Sequence, residues 1–162
     1  MLKGSGFMAL NQNSQLDELD LQILDLLIKD SRTPYLEIAR ICHVSGGTIH
    51  VRMKKMEEMG IIKGTRIVLD LPKLGYDVCC FVGIYIDRTS SFKNVFEELS
   101  KIKEVVELHL TTGDYSVFAK VICKNTTDLQ DILLNKINII DGIQRTETII
   151  SLEQPIDRNI TI

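Results

Sequence analysis

Apolar stripes at helical spacing around a basic face, followed by a strand–helix–strand–strand–helix–strand succession, predict an α+β protein. The first part reads as a winged-type helix-turn-helix, the second as a ferredoxin-like β-α-β-β-α-β unit. A chain of 162 residues, 44% hydrophobic and 25% charged, accommodates one ordinary domain or two small ones and excludes global disorder. No apolar run approaches the roughly 20 residues that cross a bilayer. The Gly/Ser/Asn-rich start also lacks the apolar segment of a secretory signal. Neither a membrane partner nor export is therefore expected.

Residues 1–15 read as a disordered lead, with Met8 a candidate natural start and residues 1–7 an appended remnant. Residues 16–30 form a helix with Leu16, Leu19, Ile23, Leu26 and Leu27 on one stripe. Ser31 and Arg32 break it. Thr33 as N-cap and Pro34 at the first helical position restart a second helix, which turns Ile38, Ala39 and Cys42 inward. After the short turn His43-Val44-Ser45, Ser45 caps a third helix. Its buried stripe is Ile49, Met53 and Met56, Val44 and Ile49 form a hydrophobic staple, and Gly60 ends it. These helices make the helix-turn-helix domain, 16–64. Ile61-Ile62 and 66–69 suggest strand, a wing or a linker strand. The turn-like 72–75 marks a boundary, so 65–77 is expected to be a linker strand and turn.

Over 78–155 the order continues as strand (78–86), helix (92–102), strand (104–112), turn, strand (115–123), helix through Leu129, Ile132, Leu133 and Ile137, turn at Asp141-Gly142, and a last strand from Ile143. Residues 156–162 form a tail. Helices can cover only one face of such a sheet, so an apolar second face is expected to meet a partner, which points to an oligomer.

The net charge of −3 argues against nucleic acid, but its distribution does not. Residues 31–66 carry seven Lys/Arg against three acids, a local +4, whereas 67–162 carry ten bases against fourteen acids. The wheel of the third helix sets Gly46, Gly47, His50, Val51, Lys54 and Lys55 away from the buried stripe. A helix of this kind fits the DNA major groove, with bases read near its N-terminus. Gly46 and Gly47 permit close backbone approach. Thr48 and His50 offer hydrogen bonds, while Arg52, Lys54 and Lys55 suit phosphates or guanine. Ser45, together with Thr33 and Tyr35 around the start of the second helix, completes the expected DNA-binding set. The same pattern fits a three-helix bundle with a solvated basic face. The local charge, tight turn, staple and helix-start glycines favour double-stranded DNA.

Cys42, Cys79, Cys80 and Cys123 form no Cys-x-x-Cys pair, and His43, His50 and His109 lie far apart. Buried reduced thiols in a cytoplasmic protein are expected, with no metal site. No nucleophile–base pair, metal cluster or phosphate-binding glycine loop is present, so neither an enzyme nor a cofactor is expected.

Several motifs carry a family resemblance. Leu19-Asp20-Leu21-Gln22-Ile23-Leu24, Asp30-Ser31-Arg32-Thr33-Pro34-Tyr35, 44–52 and Gly60-Ile61-Ile62-Lys63-Gly64 resemble the Lrp/AsnC transcription regulators of bacteria and archaea. So do Leu74-Gly75-Tyr76-Asp77-Val78, Thr111-Thr112-Gly113-Asp114-Tyr115-Ser116 and Thr146-Glu147-Thr148. The likeness runs from about Leu16 to Pro155. Within the family, 47–52, 75–78 and 145–148 are most similar to its asparagine-responsive branch. The resemblance implies an amino-acid-sensing second domain, dimers that pair through their sheets, octamers with DNA wrapped outside, and a nucleoid-associated cytoplasmic protein. It also implies an effector amino acid held between dimers, near the loop joining the second and third strands of the sensing domain. One departure is Ser45-Gly46 where many members have Ser-Pro, which leaves the helix start less preorganised.

On that loop, Gly113 permits close approach and positive φ. Backbone amides suit a carboxylate, and Asp114 suits an α-ammonium. Thr111, Thr112, Tyr115 and Ser116 offer hydrogen bonds, as do Gln144, Thr146 and Thr148 from the last strand. This polar set favours asparagine over leucine. A plain Gly-Asp hairpin turn fits the dipeptide equally well. The leading expectation is a sequence-specific, amino-acid-modulated DNA-binding regulator. The alternative is a DNA-architectural protein of the same fold without small-molecule control.

Overall fold

The computed structural model describes residues 16–87 and 92–162. The expected disordered lead over 1–15 lies outside them. The chain divides into two compact units. One holds the described residues up to Ile67 together with Asp157–Ile162, and the other holds Val68–Ile156.

The first unit is built on α1 (Glu18–Lys29), α2 (Tyr35–Ile41) and α3 (Gly46–Glu58). Asp17 starts α1 with a capping box: its carboxylate accepts from the Asp20 N–H while Asp20 accepts from the Asp17 N–H. The α2 start differs from expectation. Pro34, not Thr33, is the N-cap, and Thr33 Oγ1 donates backwards to the Asp30 carbonyl at 2.8 Å. Pro34 has extended ψ of 140°, so the helix begins one residue later.

The tight turn into α3 passes through His43, whose φ of +56° is left-handed. Ser45 Oγ then accepts from the Thr48 N–H at 3.1 Å, capping α3. At the other end the Ile61 N–H donates to Met56 O and the Gly60 N–H to Glu57 O, with Gly60 at φ +71°. This Schellman closure requires the left-handed residue that glycine supplies. Ile23, Leu24, Ile38, Ala39, Ile49, Met53 and Met56 form the core, flanked by Leu19, Leu27, Cys42 and Val44.

The expected linker strand is corrected. Residues 62–70 form no strand, and Ile67, Val68 and Leu69 are exposed. β-forming residues become a strand only when a second strand satisfies their backbone, and among the described residues none pairs with them. A short 3₁₀ turn, Pro72–Leu74, follows.

The second unit runs β1 (Val78–Ile86), α4 (Phe92–Ser100), β2 (Val105–Leu110), β3 (Val117–Cys123), α5 (Thr126–Asp131) and β4 (Ile143–Ile150). The sheet order is β2-β3-β1-β4, with antiparallel pairing throughout. This is the ferredoxin-like arrangement. Alternation along β1 and β3 sends Cys80, Val82, Ile84, Val117, Ala119 and Val121 into the core under the helices. From α4, Val95 and Leu99 are fully buried, whereas Phe92 stays exposed.

The helix after β3 is less regular than its spacing suggests. Asn125 caps α5, and Ile132–Ile137 then continue as a π-helix, with the Asn138 N–H donating to Leu133 O. The wider turn lets Ile132 and Ile137, five residues apart, reach the same core.

Among the described residues the opposite sheet face carries no helix. Phe81 stacks on Phe118 at 5.6 Å between ring centroids, and Tyr115 leans on Phe118 at 5.9 Å. Cys80 and Cys123 are buried free thiols, and burial pushes Cys80 up to about 11.

Candidate nucleic-acid interface and effector site

α3 presents two distinct polar surfaces. With Ile49, Met53 and Met56 buried, Gly47, His50, Val51 and Lys54 lie exposed along one side; Val51 is 66% exposed. Tyr35, from the start of α2, brings its ring to 6.3 Å from the His50 ring. This places two expected DNA-binding residues from separate helices next to each other. Lys54 pairs loosely with Glu58, at 3.7 Å with both side chains about two-thirds exposed. Such a pair yields readily to a phosphate.

Other expected residues have prior duties. The Ser45 and Thr48 hydroxyls share a 2.8 Å hydrogen bond at the helix cap. Gly46 lies under α2: a Cβ there would meet Leu36 Cδ2 at 3.1 Å. Its smallness thus serves the α2–α3 approach as well as any approach to DNA.

The second polar surface turns toward α1, and here the structure departs from the sequence reading. Arg52 and Lys55, expected to face phosphates, point at Asp20, which is 0% exposed. Arg52 Nη1 donates to Asp20 Oδ1 at 3.2 Å, and also to Asp17 Oδ2. Lys55 Nζ donates to Asp20 Oδ2 at 3.3 Å. The backbone hydrogen bond from Asp20, followed by the guanidinium of Arg52, holds the Asp17 carboxyl below its ordinary value. Asp17 in turn holds Arg52 above its own. Sequence reading missed both acids. Two signals were present: Asp17 stands three residues before Asp20, the spacing of a capping box, and Asp20 shares the 20-23-24-27 face with apolar residues.

In the second unit, residues 111–116 form the hairpin between β2 and β3. Thr111 Oγ1 donates to Tyr115 O at 2.7 Å and Gly113 sits at φ +121°. Thr111, Thr112, Gly113 and Asp114 are exposed. The Ser116 N–H donates to Ile84 O at 3.0 Å, anchoring the hairpin to β1.

Tyr115 lies on the helix-free face, over Gly83. Its hydroxyl donates to Glu147 Oε2 at 2.9 Å, while Tyr85 donates to Glu147 Oε1 at 3.1 Å. Arg145 pairs with Glu147 at 3.1 Å and stacks 3.8 Å above the Tyr85 ring. The Glu147 hydrogen bond and burial raise the Tyr115 phenol, and burial followed by Glu147 raises Tyr85. Both phenols stay protonated donors. Tyr85, Arg145 and Glu147 were not among the expected site residues, although the i, i+2 spacing of Arg145 and Glu147 puts them on one strand face.

The other β4 residues do not join this group. Thr146 and Thr148 pair with Ile84 and Val82, whose side chains enter the helix-covered core, and Thr146 Oγ1 hydrogen-bonds Asn138 Oδ1 at 2.9 Å. Gln144 sits at a β-bulge opposite Tyr85 and Ile86. Within one chain, then, Tyr115 and Thr146/Thr148 lie on opposite sides of the sheet. Two clefts, about 610 and 750 Å³, lie elsewhere in this unit and share Lys103, Glu104 and Lys136; no expected effector residue lines either. Among the described residues no group of His, Cys, Asp or Glu could hold a metal.

Comparison with known proteins matches both units. Residues 16–63 fit a family described as winged helix-turn-helix DNA-binding, and residues 79–161 fit the Lrp/AsnC ligand binding domain. Regulatory protein AsnC of Haemophilus influenzae is 50% identical over 145 residues, covering 90% of this chain and 97% of that one. Regulatory protein AsnC of Escherichia coli K12 is 46% identical over 149 residues, covering 92% and 98%. The solved structure of E. coli AsnC superposes with a TM-score of 0.86 at 46% identity, covering 91% of this chain and 99% of that one. These relatives are named regulators, not enzymes.

Proposed function

The chain belongs to the Lrp/AsnC family of transcriptional regulators, with a DNA-binding helix-turn-helix and a ligand-binding unit, and from that premise we propose that α3 reads duplex operators under control of a polar amino acid. The observation that carries the DNA part is the exposed side of α3. There Gly47, His50 and Lys54 stand clear of the buried stripe, with Tyr35 beside His50. A major groove admits such a helix, so Thr48 and His50 address base edges near its start. Ser45, Gly46, Gly47, Thr33 and Tyr35 shape the approach, and Lys54 takes a phosphate.

The test is duplex binding as a function of salt. Lys54→Ala is expected to weaken binding to all sequences and to reduce the slope of log K against log salt by about 0.9 for each phosphate that the lysine neutralises. An unchanged slope removes Lys54 from the footprint.

The effector is a free amino acid with a polar side chain, asparagine in the first instance, held at the 111–116 hairpin. Exposed Asp114 meets the α-ammonium and the glycine-containing turn meets the carboxylate. Because Thr146 and Thr148 lie on the sheet face opposite Tyr115 within one chain, a second copy would complete the polar lining. This supports the reading that the effector sits between dimers. The dimers form through the helix-free face around Phe81, Phe118 and Tyr115 and assemble further to octamers in the cytoplasm, on the nucleoid. The effector acts by binding one assembly state more tightly than another.

Asparagine at about 100 times its dissociation constant is expected to add about 2.7 kcal/mol of stability, visible as a raised melting temperature. Asp114→Ala should abolish that shift and leave DNA binding without effector intact. A flat screen across the twenty amino acids would favour the architectural role instead.

A further inference from the structure

We propose that Asp20 is a positioning residue for DNA recognition: it holds Arg52 and Lys55 against α1 and withholds both cations from the phosphate backbone. The inference rests on the DNA-binding reading of α3 and deepens it. Lys54, Arg52 and Lys55 lie on one helix within four residues, and by sequence they form a single basic cluster. The fold divides them. Lys54 projects from the exposed side, 69% open. Arg52 and Lys55, three apart and therefore stacked on one face, both reach the same carboxylate on α1, one oxygen each, at 3.2 and 3.3 Å. Asp17 adds a second anchor on Arg52.

The energetics favour retention of this arrangement on DNA. Asp20 has no solvent exposure, and a buried carboxylate stripped of its partners is far costlier than an exposed one. A DNA complex that drew both cations onto phosphates would leave that charge stranded. An exposed lysine such as Lys54 changes partner at little cost. Asp20 therefore does two things at once. It fixes the rotation of α3 about its own axis, which determines whether His50 and Gly47 face the groove. It also lowers the number of cations that bind DNA without regard to sequence, and so favours discrimination over bulk affinity.

The experiment uses the full-length protein and a mixed-sequence duplex of about 30 base pairs, long enough to carry the salt-dependent phosphate pairs. Affinity is measured over a salt series for the wild type, Lys55→Gln, Asp20→Asn and the double variant, with circular dichroism to confirm folding. Lys55→Gln is expected to keep the wild-type slope. Asp20→Asn, which preserves shape and one of the two acceptor oxygens but removes the charge, is expected to steepen the slope by about 0.9 for each released cation that reaches a phosphate, and to tighten mixed-sequence binding several-fold. Adding Lys55→Gln to Asp20→Asn should remove one such increment. A slope that falls by about 0.9 in Lys55→Gln with Asp20 intact overturns the proposal. So does a folded Asp20→Asn with an unaltered slope. Should Asp20→Asn not fold, the Lys55→Gln slope decides alone. Absence of any salt-dependent binding by the wild type would instead sink the DNA-binding reading itself.

Discussion

Gly83→Val is expected to destabilise the ligand-binding unit by about 1–3 kcal/mol, the usual cost of overpacking. Gly83 lies in the middle of β1, paired with Phe118 on one side and Glu147 on the other. The Tyr115 ring covers it so closely that a Cβ would overlap ring carbons. A valine therefore displaces the ring, and two interactions go with it: the Tyr115–Glu147 hydrogen bond and the edge-on packing against Tyr85, whose ring centroid lies 5.3 Å away. For a chain of this size the effect corresponds to a fall in melting temperature on the order of 5 °C. Tyr115→Ala in the Gly83→Val background should recover part of it, because the collision disappears with the ring. An unchanged melting temperature in the single variant, or no recovery in the double, would show that the ring moves aside freely. The hairpin is attached to β4 through this ring, so the hairpin should loosen along with the loss of stability.

Ile49→Ala is expected to lower stability by about 2–5 kcal/mol and to abolish DNA binding near physiological temperature. Ile49 is fully buried where α1, α2 and α3 meet, with Ile23, Ile38 and Met56 also at 0% exposure. A three-helix unit has a small core, so one cavity removes a large share of what holds it. Ile49→Val keeps most of the volume and should cost only about 0.5–1.5 kcal/mol. Thermal melts together with duplex titration would check both. Equal effects from the two substitutions would mean that the site collapses around the smaller side chain, and that the orientation of α3 does not depend on this packing.

Much of this architecture was legible because it follows from spacing. Ile49, Met53 and Met56 recur at the helical period and are buried together. Val117, Ala119, Val121 and Cys123 alternate and share one sheet face. Ser45 and Gly60 bracket α3 as cap and stop, since both act through backbone groups a few bonds away. Local departures from that spacing stay within one turn. Pro34 became the cap in place of Thr33, and the stripe of α5 widened into a π-helix where Ile132 and Ile137 both sought the core.

The larger departures all involve partners distant in sequence. Residues 65–69 have strand composition, but a strand requires a neighbour, and among the described residues none pairs with them. Arg52 and Lys55 carry the same charge as Lys54, and nothing in their spacing says that an acid more than thirty residues earlier receives them. Tyr115 joins Tyr85, Arg145 and Glu147 only because β1 lies between β3 and β4. The β1–β4 register puts Thr146 and Thr148 on the sheet face opposite Tyr115.

Periodicity, capping and local charge are short-range properties, so the order of residues alone determines the helix-turn-helix, the ferredoxin-like unit and a basic third helix. Which cations on that helix remain exposed, and which strand face each polar group occupies, depend on burial and register between distant segments. Those were decided by the packing of α1 on α3 and by the antiparallel pairing of β1 with β3 and β4, where a buried carboxylate must find its counter-charge and a one-residue shift reverses every side chain.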